Sequence, residues 1–325
     1  MKSFRNINPK TLNEAARALQ DSKAMAVGGG SDLLGMIKEH IVAPDALVNL
    51  KAISGQDGIT RRGDTVRIGA LATLDSISRN PDIRQRYTVL AEAAGQVATP
   101  QIRNVGTIAG NLTQRPWCWY FRNNFPCYKN GGNTCFSITG ENEFHAIFGG
   151  GPSFIVHPSD TAAALVALGA RLRIVGPQRE REVAAADFFQ LPTLNPAKEN
   201  ALAPGEVLAE VILPAPAANT RSTYQKVLDR DAWTHAVVSV AAVLEMNGAT
   251  CRSARIVLGG VAPIPWRVPA AEALLNGQRV TDALLGQVAE KALDGARPLA
   301  KNAYKIPLTK ATVKQALRTA SGVSA

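Results

Sequence analysis

Residues 26–38 read AVGGGSDLLGMIK, and the order of residue types in that stretch decides how the N-terminal part of the chain folds. The short apolar run Ala24 to Val27 has the composition of a strand, and three successive glycines then stop it. Either Ser31 or Asp32 can cap a helix that carries Leu33, Leu34, Met36 and Ile37. The predicted unit is strand, glycine turn, helix. Backbone amides in such a turn are free to face a ligand, and the helix start adds partial positive charge that suits a phosphate. The turn is not G-x-G-x-x-G, because position 33 is Leu33. Read by itself it fits a phosphate site or a purely structural tight turn.

Upstream, Asn8 and Pro9 provide a cap and a first helical residue, and Leu12, Ala15, Ala16 and Leu19 repeat at the spacing of one buried helix face. Residues 1–55 therefore form a small α/β unit. A Gly-Asp hairpin, Ile59 to Ile68 around Gly63 and Asp64, opens a second unit with helices near Asp75 to Arg79 and Tyr87 to Val97. This second unit, 56–218, ends where Leu213 to Ala218 becomes rich in Pro and Ala without periodicity. In the third, 219–325, Asn247-Gly248 joins two expected antiparallel strands, Ala236 to Met246 and Arg252 to Gly259. Helices are predicted after Pro269, Thr281 and Thr309, the last ending near Gly322.

Composition narrows the class. The 325 residues are 46% hydrophobic, enough for a sizeable core in two or three domains. No run of about 20 apolar residues exists, since Arg171 and Arg173 interrupt the best candidate, Thr161 to Gly176, so a membrane span is not expected. The residues Met1 to Pro9 lack the apolar stretch of a secretory signal, which predicts a cytoplasmic protein, or a periplasmic one if a partner carries the export signal. The formal charge of +10 is scattered, with Arg179 to Arg181 interrupted by Glu180, and no basic run or nucleic-acid motif occurs. Nucleic acid is not expected as a partner; acidic partner subunits are compatible with the same charge.

A second run of small residues, Gly106 to Leu112 (GTIAGNL), permits close backbone approach, and Thr107 and Asn111 offer hydrogen bonds to phosphate or ribityl oxygens. A tightly packed core loop would have the same composition. Beyond it, three of the four cysteines, Cys118, Cys127 and Cys135, fall within eighteen residues among Trp117, Trp119, Tyr120, Phe121 and Phe125, and Cys251 stands alone. By spacing alone the cluster suits an iron-sulfur centre, a Cys3His zinc site using His145 or His157, or coincidence. An odd local number of thiols fits disulfides less well. The chain contains no G-x-S-x-G, H-E-x-x-H or P-loop motif, so no hydrolytic or phosphoryl-transfer machinery is expected.

Four strings in order, AVGGGSDLLGMIK, QIRNVGTIAGNL (101–112), HPSD (157–160) and VLGGVAPIPWR (257–267), resemble the FAD-binding subunits of the xanthine dehydrogenase, carbon monoxide dehydrogenase and aldehyde oxidoreductase family. The resemblance spans nearly the whole chain and is nearest to the bacterial periplasmic-type aldehyde oxidoreductase subunit that combines FAD with a 4Fe-4S cluster. It implies an α+β protein: a two-part FAD-binding α/β domain of the vanillyl-alcohol-oxidase-like type, then an α+β C-terminal domain of the flavoprotein type. It assigns Ala26, Val27, Gly28, Gly29, Gly30, Ser31, Asp32 and Leu33 to FAD, with Val27 to Leu33 at the pyrophosphate. Thr107, Ala109, Gly110 and Asn111 fall on the phosphate and ribityl side, Asp160 accepts from ribityl or ring-edge groups, and Lys226 is a further flavin contact. Asp160 also has the sequence context of a helix cap for Thr161 onward.

The same resemblance implies that Cys118, Cys127 and Cys135 bind the cluster, in an inserted loop over 114–151. Relatives often carry a further Cys just before HPSD, where this chain has Ser153. The fourth iron site is then open to Ser153, a histidine, Cys251 or no ligand, the last giving a three-iron form. A large subunit with a molybdenum cofactor, a small subunit with 2Fe-2S clusters and an external electron acceptor are the implied partners. No catalytic acid, base or nucleophile is implied in this chain. The rival readings are a stand-alone flavin reductase or oxidase and a zinc-stabilised binding protein.

Overall fold

The computed structural model describes residues 1–231 and 234–323. Three sheets organise them. The first is a three-stranded parallel sheet in the order Arg5–Ile7, Ala46–Asn49, Ala24–Val27. Helix Leu12–Ala18 buries Ala15 and Ala16, and helix Leu33–Lys38 buries Leu33, Met36 and Ile37, as the apolar spacing requires. The first of these helices starts later than Asn8 and Pro9 suggest. Thr11 is its cap, accepting from the Glu14 amide at 3.1 Å while the Glu14 carboxylate accepts from the Lys10 amide at 2.7 Å. Asn8 is occupied elsewhere, its Oδ1 accepting from Asn49 Nδ2 at 2.9 Å.

The second sheet is antiparallel throughout, in the order Ile59–Arg62, Thr65–Gly69, Val207–Leu213, Arg171–Val175, Glu180–Ala184. Its first two strands are the Gly63-Asp64 hairpin. The strand Val207–Leu213 comes from far along the sequence and inserts between them and the last pair, a non-local pairing that no turn signal announces. The predicted helices are present as Leu74–Arg79 and Thr88–Gly95.

The third sheet runs Trp266–Arg267, Thr250–Gly259, Val238–Asn247, Thr220–Val227, with Gln278–Arg279 added beside Thr250–Gly259. The Asn247-Gly248 hairpin lies at its centre. Val238–Asn247 is apolar on both faces because both are covered. Val240, Ala242 and Leu244 pack with Val313, Ala316 and Leu317 of the last helix, whereas Ala241 joins Val257 and helix Asp160–Leu168 in the opposite core. All nine residues of Asp160–Leu168 are buried, which is why that helix is apolar around its whole circumference.

The C-terminal helices follow Pro269 and the Thr281 cap, but the last spans Lys305–Ser321 and begins a turn before Thr309. Lys305 hides the start: its stem is fully buried and its ammonium donates to the carbonyls of Gly260 and Phe144 at 2.6 and 3.1 Å. Gly322 closes this helix in the left-handed conformation. Among the described residues no helix is long and apolar enough to cross a membrane.

Tyr87, just before helix Thr88–Gly95, is buried in one core with Ile83 and Val89 and ties that helix to the end of strand Val207–Leu213 by donating its hydroxyl to the Pro214 carbonyl at 2.8 Å. Tyr87→Phe removes only that bond and leaves the Pro214 carbonyl without this donor. Urea unfolding should show a loss of about 1 kcal/mol, with the denaturant slope unchanged.

Candidate functional site

The glycine turn and the Gly106–Leu112 segment face each other across a cavity of about 250 Å³ that runs past Asn111 to Asp160 and His235. Contact between the two segments sets its floor. A Cβ on Gly29 would stand 2.0 Å from the Val105 carbonyl oxygen, and one on Gly28 would stand 3.1 Å from Thr107 Oγ1. Gly30 has φ +75, a conformation that favours glycine. The absence of side chains here thus serves backbone-to-backbone packing as well as ligand approach, and Gly29 faces Val105 more than it faces the open cleft.

Thr107 caps the helix Ile108–Thr113, its Oγ1 accepting from the Gly110 amide at 3.1 Å. Asn111 Oδ1 accepts from Ser159 Oγ and Thr161 Oγ1, both at 2.6 Å. Its Nδ2 group has no hydrogen-bond partner among the described residues and belongs to the cleft wall. Ala26, Val27, Ser31, Leu33 and Gly110 also line the cleft. Ala109 does not: its side chain packs in the neighbouring core and its amide donates to the Ala70 carbonyl at 3.1 Å.

Asp160 differs from its expected role as a cap. Ser159 is the cap, accepting from the Ala162 amide, and Asp160 is the first helical residue. Both its carboxylate oxygens are engaged, Oδ1 by the Tyr224 hydroxyl and Oδ2 by the Lys226 ammonium, each at 2.6 Å. Lys226 is the partner of that carboxylate. Its side chain is 1% exposed and lies behind Asp160 instead of on the cleft wall, neutralising a carboxylate that would otherwise be buried unpaired.

Asp32 occupies the cap position of helix Leu33–Lys38 but makes no capping bond. Its carboxylate instead accepts from the Arg115 amide at 3.0 Å and pairs with the Arg122 guanidinium at 2.8 Å. Arg122 in turn lies 4.2 Å over the Trp117 ring, and Trp117 packs against His235 at the cleft with the rings tilted and their centroids 5.2 Å apart. Neither Trp117 nor His235 stands out as a cleft residue in the sequence. Trp117 is hidden in an aromatic run, and His235 comes from a segment with no motif.

The inserted loop is largely irregular, with the short helix Trp119–Arg122 and tight turns at Tyr128–Asn130 and Phe136–Ile138. Gly131 and Gly132 let it double back, since a Cβ on Gly132 would meet the Pro126 carbonyl oxygen at 1.8 Å. Folded in this way it brings Cys118, Cys127 and Cys135 to one small cavity, beside Tyr120, Ser153 and Ile155. All three thiols are free. Cys118 Sγ is 3.4 Å from His145 Nε2, and burial pushes the Cys118 thiol up to about 11. Cys135 Sγ contacts Ser137 Oγ at 3.1 Å and accepts from the Phe154 amide at 3.5 Å. Among the described residues no three His, Cys, Asp or Glu side chains converge closely enough to hold a single metal ion. Cys251 is elsewhere, fully buried in the C-terminal core with its thiol donating to the Ser253 carbonyl.

A family model for the FAD-binding domain of molybdopterin dehydrogenases matches residues 2–216, and one for the carbon monoxide dehydrogenase flavoprotein C-terminal domain matches residues 223–320. The chain belongs to the FAD-binding subunits of the molybdenum hydroxylases. Like the other FAD-binding subunits it resembles, it is an oxidoreductase flavoprotein chain. It is 37% identical to the aldehyde oxidoreductase FAD-binding subunit PaoB of Escherichia coli, over 98% of this chain and 99% of that one. It is 29% identical to the carbon monoxide dehydrogenase medium chain of Hydrogenophaga pseudoflava, over 96% and 95% of the two chains. The solved carbon monoxide dehydrogenase of that organism superposes with a TM-score of 0.78 at 29% identity, covering 98% of this chain and 97% of that one. The α+β architecture expected of such a flavoprotein subunit is the one described above.

Two predictions follow from this FAD subunit's geometry. Gly29→Ala sets a methyl group against the Val105 carbonyl and must push the two cleft walls apart. Bound flavin per chain and thermal stability should fall together, with the loss of stability persisting in flavin-free protein. The other concerns His157, whose Nδ1 accepts from the Ser159 amide and whose ring meets Phe189 edge-on at 4.6 Å. Burial pushes the imidazolium down to about 3. The folded chain refuses a proton that the unfolded chain takes up below about 6.5. This contribution is therefore complete above that pH and is lost as the pH falls toward 3, at up to about 1.4 kcal/mol per pH unit. Urea unfolding from pH 7 to 4 should show a slope shallower by about one proton in His157→Asn.

Proposed function

We propose that this chain is the FAD and iron-sulfur electron-transfer subunit of a molybdenum-dependent hydroxylase oxidising aldehydes or N-heterocycles. The observation that carries the proposal is a shared wall. Consecutive residues Trp117 and Cys118 line the cleft and the cysteine cavity respectively, so that a flavin and a cluster held there would be separated by one residue step. FAD supplies two-electron acceptance with single-electron release, and a 4Fe-4S cluster supplies one-electron transfer.

The chain's own residues do the holding. Amides of the Gly28–Gly30 turn and the Thr107 hydroxyl suit the pyrophosphate, and the unpartnered Asn111 Nδ2 suits a ribityl oxygen or phosphate. Asp160, fixed by Tyr224 and Lys226, keeps an acceptor edge at the far end of the cleft. Cys118, Cys127 and Cys135 present thiols in an apolar surround of Tyr120, Phe121 and Phe136, which limits water access. In this reading the units are 1–55, 56–218 and 219–325. A large molybdenum-cofactor subunit and a small 2Fe-2S subunit deliver electrons, and an external acceptor takes them from the flavin.

Cys127→Ser tests the proposal in the purified complex. Iron and sulfide assigned to this subunit should drop sharply, because a hydroxyl is a poorer partner for iron than a thiolate. FAD should be largely retained, since its cleft contacts lie outside Cys127. Zinc in the wild-type cavity, or unchanged iron and sulfide in the variant, would refute the cluster assignment.

A further inference from the structure

His235 presents a lone pair to the cleft that no other described residue uses. We infer that its Nε2 accepts a hydrogen bond from the one N–H that an oxidised flavin ring carries, at ring nitrogen N3, and so fixes the ring at the far end of the cleft. The inference rests on the assignment of the cleft to FAD and concerns a residue outside the four strings that carry the family resemblance.

The tautomer of His235 follows from its partner. Nδ1 lies 3.3 Å from the Pro158 carbonyl oxygen, and a carbonyl can only accept. Nδ1 therefore carries the proton, and Nε2 is left as a bare acceptor. Nε2 has no hydrogen-bond partner among the described residues and is not one of the polar atoms sealed from solvent, which leaves it open to the cleft that the ring lines. The Pro158 bond and the Trp117 ring hold the imidazole from two sides. Burial pushes the imidazolium below its ordinary range, and Lys226 and Arg122 act in the same direction against Asp160 and the Pro158 carbonyl. His235 is thus a neutral acceptor in a fixed orientation.

The acceptors beside it are already engaged. Asp160 gives one oxygen to the Tyr224 hydroxyl and the other to the Lys226 ammonium, and the Pro158 carbonyl takes His235 itself. Thr234 Oγ1 donates to Asp229 at 2.7 Å. The order of groups along the cleft points to the ring. The glycine turn, Thr107 and Asn111 offer donors suited to phosphate and ribityl oxygens, and beyond them the wall offers acceptors, Asp160 and His235. An end lined by acceptors needs a part of the ligand that donates. A ring N–H taken out of water without a partner weakens binding, and Nε2 removes that loss. Being neutral, it also places no extra negative charge beside a ring that gains electrons. The N3–H is present in the oxidised and the reduced ring alike, so the bond tightens binding in both states.

The test uses the purified complex, stripped of flavin and titrated with FAD or with an FAD analogue methylated at ring nitrogen N3. Wild type should bind the analogue about fivefold more weakly than FAD, the worth of one hydrogen bond. His235→Asn keeps a donor for Pro158 where Nδ1 stood and has no acceptor where Nε2 stood. It should bind FAD about fivefold more weakly than wild type, and the analogue no worse than FAD. His235→Gln sets a carboxamide oxygen at the Nε2 position and should bind FAD nearly as wild type does. The flavin potential should stay close to wild type in both variants. Equal binding of FAD and analogue by wild type overturns the inference without any variant. So does the reverse pattern, an unaffected Asn variant and a weakened Gln variant, which would make His235 only a brace for Pro158. An Asn variant with unchanged affinity and a shifted potential overturns it as well, since the bond would then belong to the reduced ring. Absence of flavin from the wild-type subunit as purified defeats the assignment of the cleft itself.

Discussion

The Asp32 carboxylate ties the two halves of the site together. It could have capped the helix that follows the glycine turn, and instead it accepts from the Arg115 amide and pairs with Arg122. One carboxylate thereby fixes the start of the cysteine loop to the end of the glycine turn. The loop that bears the thiols has little regular structure of its own, so its placement depends on such anchors. A second anchor is Glu199, which pairs with both Arg115 and Lys129. The hydrophobic side of the join is Leu33, Met36 and Ile37 packed with Phe121 and Cys127.

Arg122 extends the link toward the cleft, since the guanidinium that meets Asp32 also covers the Trp117 ring. A delocalised planar cation can satisfy a carboxylate at its edge and an aromatic ring at its face at the same time. Trp117 is then held against His235, from a distant part of the chain. The cleft end and the cysteine cavity are connected through a chain of contacts among a few side chains.

Much of this was legible in the sequence where the signal is local. The glycine turn, the Gly63-Asp64 and Asn247-Gly248 hairpins and the Thr281 cap depend on neighbouring residues, and each forms as its residue types predict. What escaped was non-local. The insertion of Val207–Leu213 into the middle of a sheet, the burial of Lys226 behind Asp160 and the fully buried Lys305 all depend on partners far along the chain. Thr11 displaced Asn8 as a cap because Asn49, forty-one residues on, claims the Asn8 side chain. The cysteines showed their number and aromatic setting, but the shared cavity with Ser153 required the chain to turn back twice.

The double coverage of Val238–Asn247 has a further consequence for how such chains can be recombined. Ala241, Val257 and Tyr224 of the C-terminal sheet lie in one continuous core with Ala162, Leu165 and the rest of the buried helix Asp160–Leu168. Cutting between the two parts would expose that helix on one side and a sheet face on the other, surfaces whose natural covering is each other. A swap of the C-terminal part between relatives must therefore match shape across this seam, residue by residue. The two parts form a fitted pair, and a chimera that ignores the seam should be recovered as aggregate rather than as a soluble hybrid.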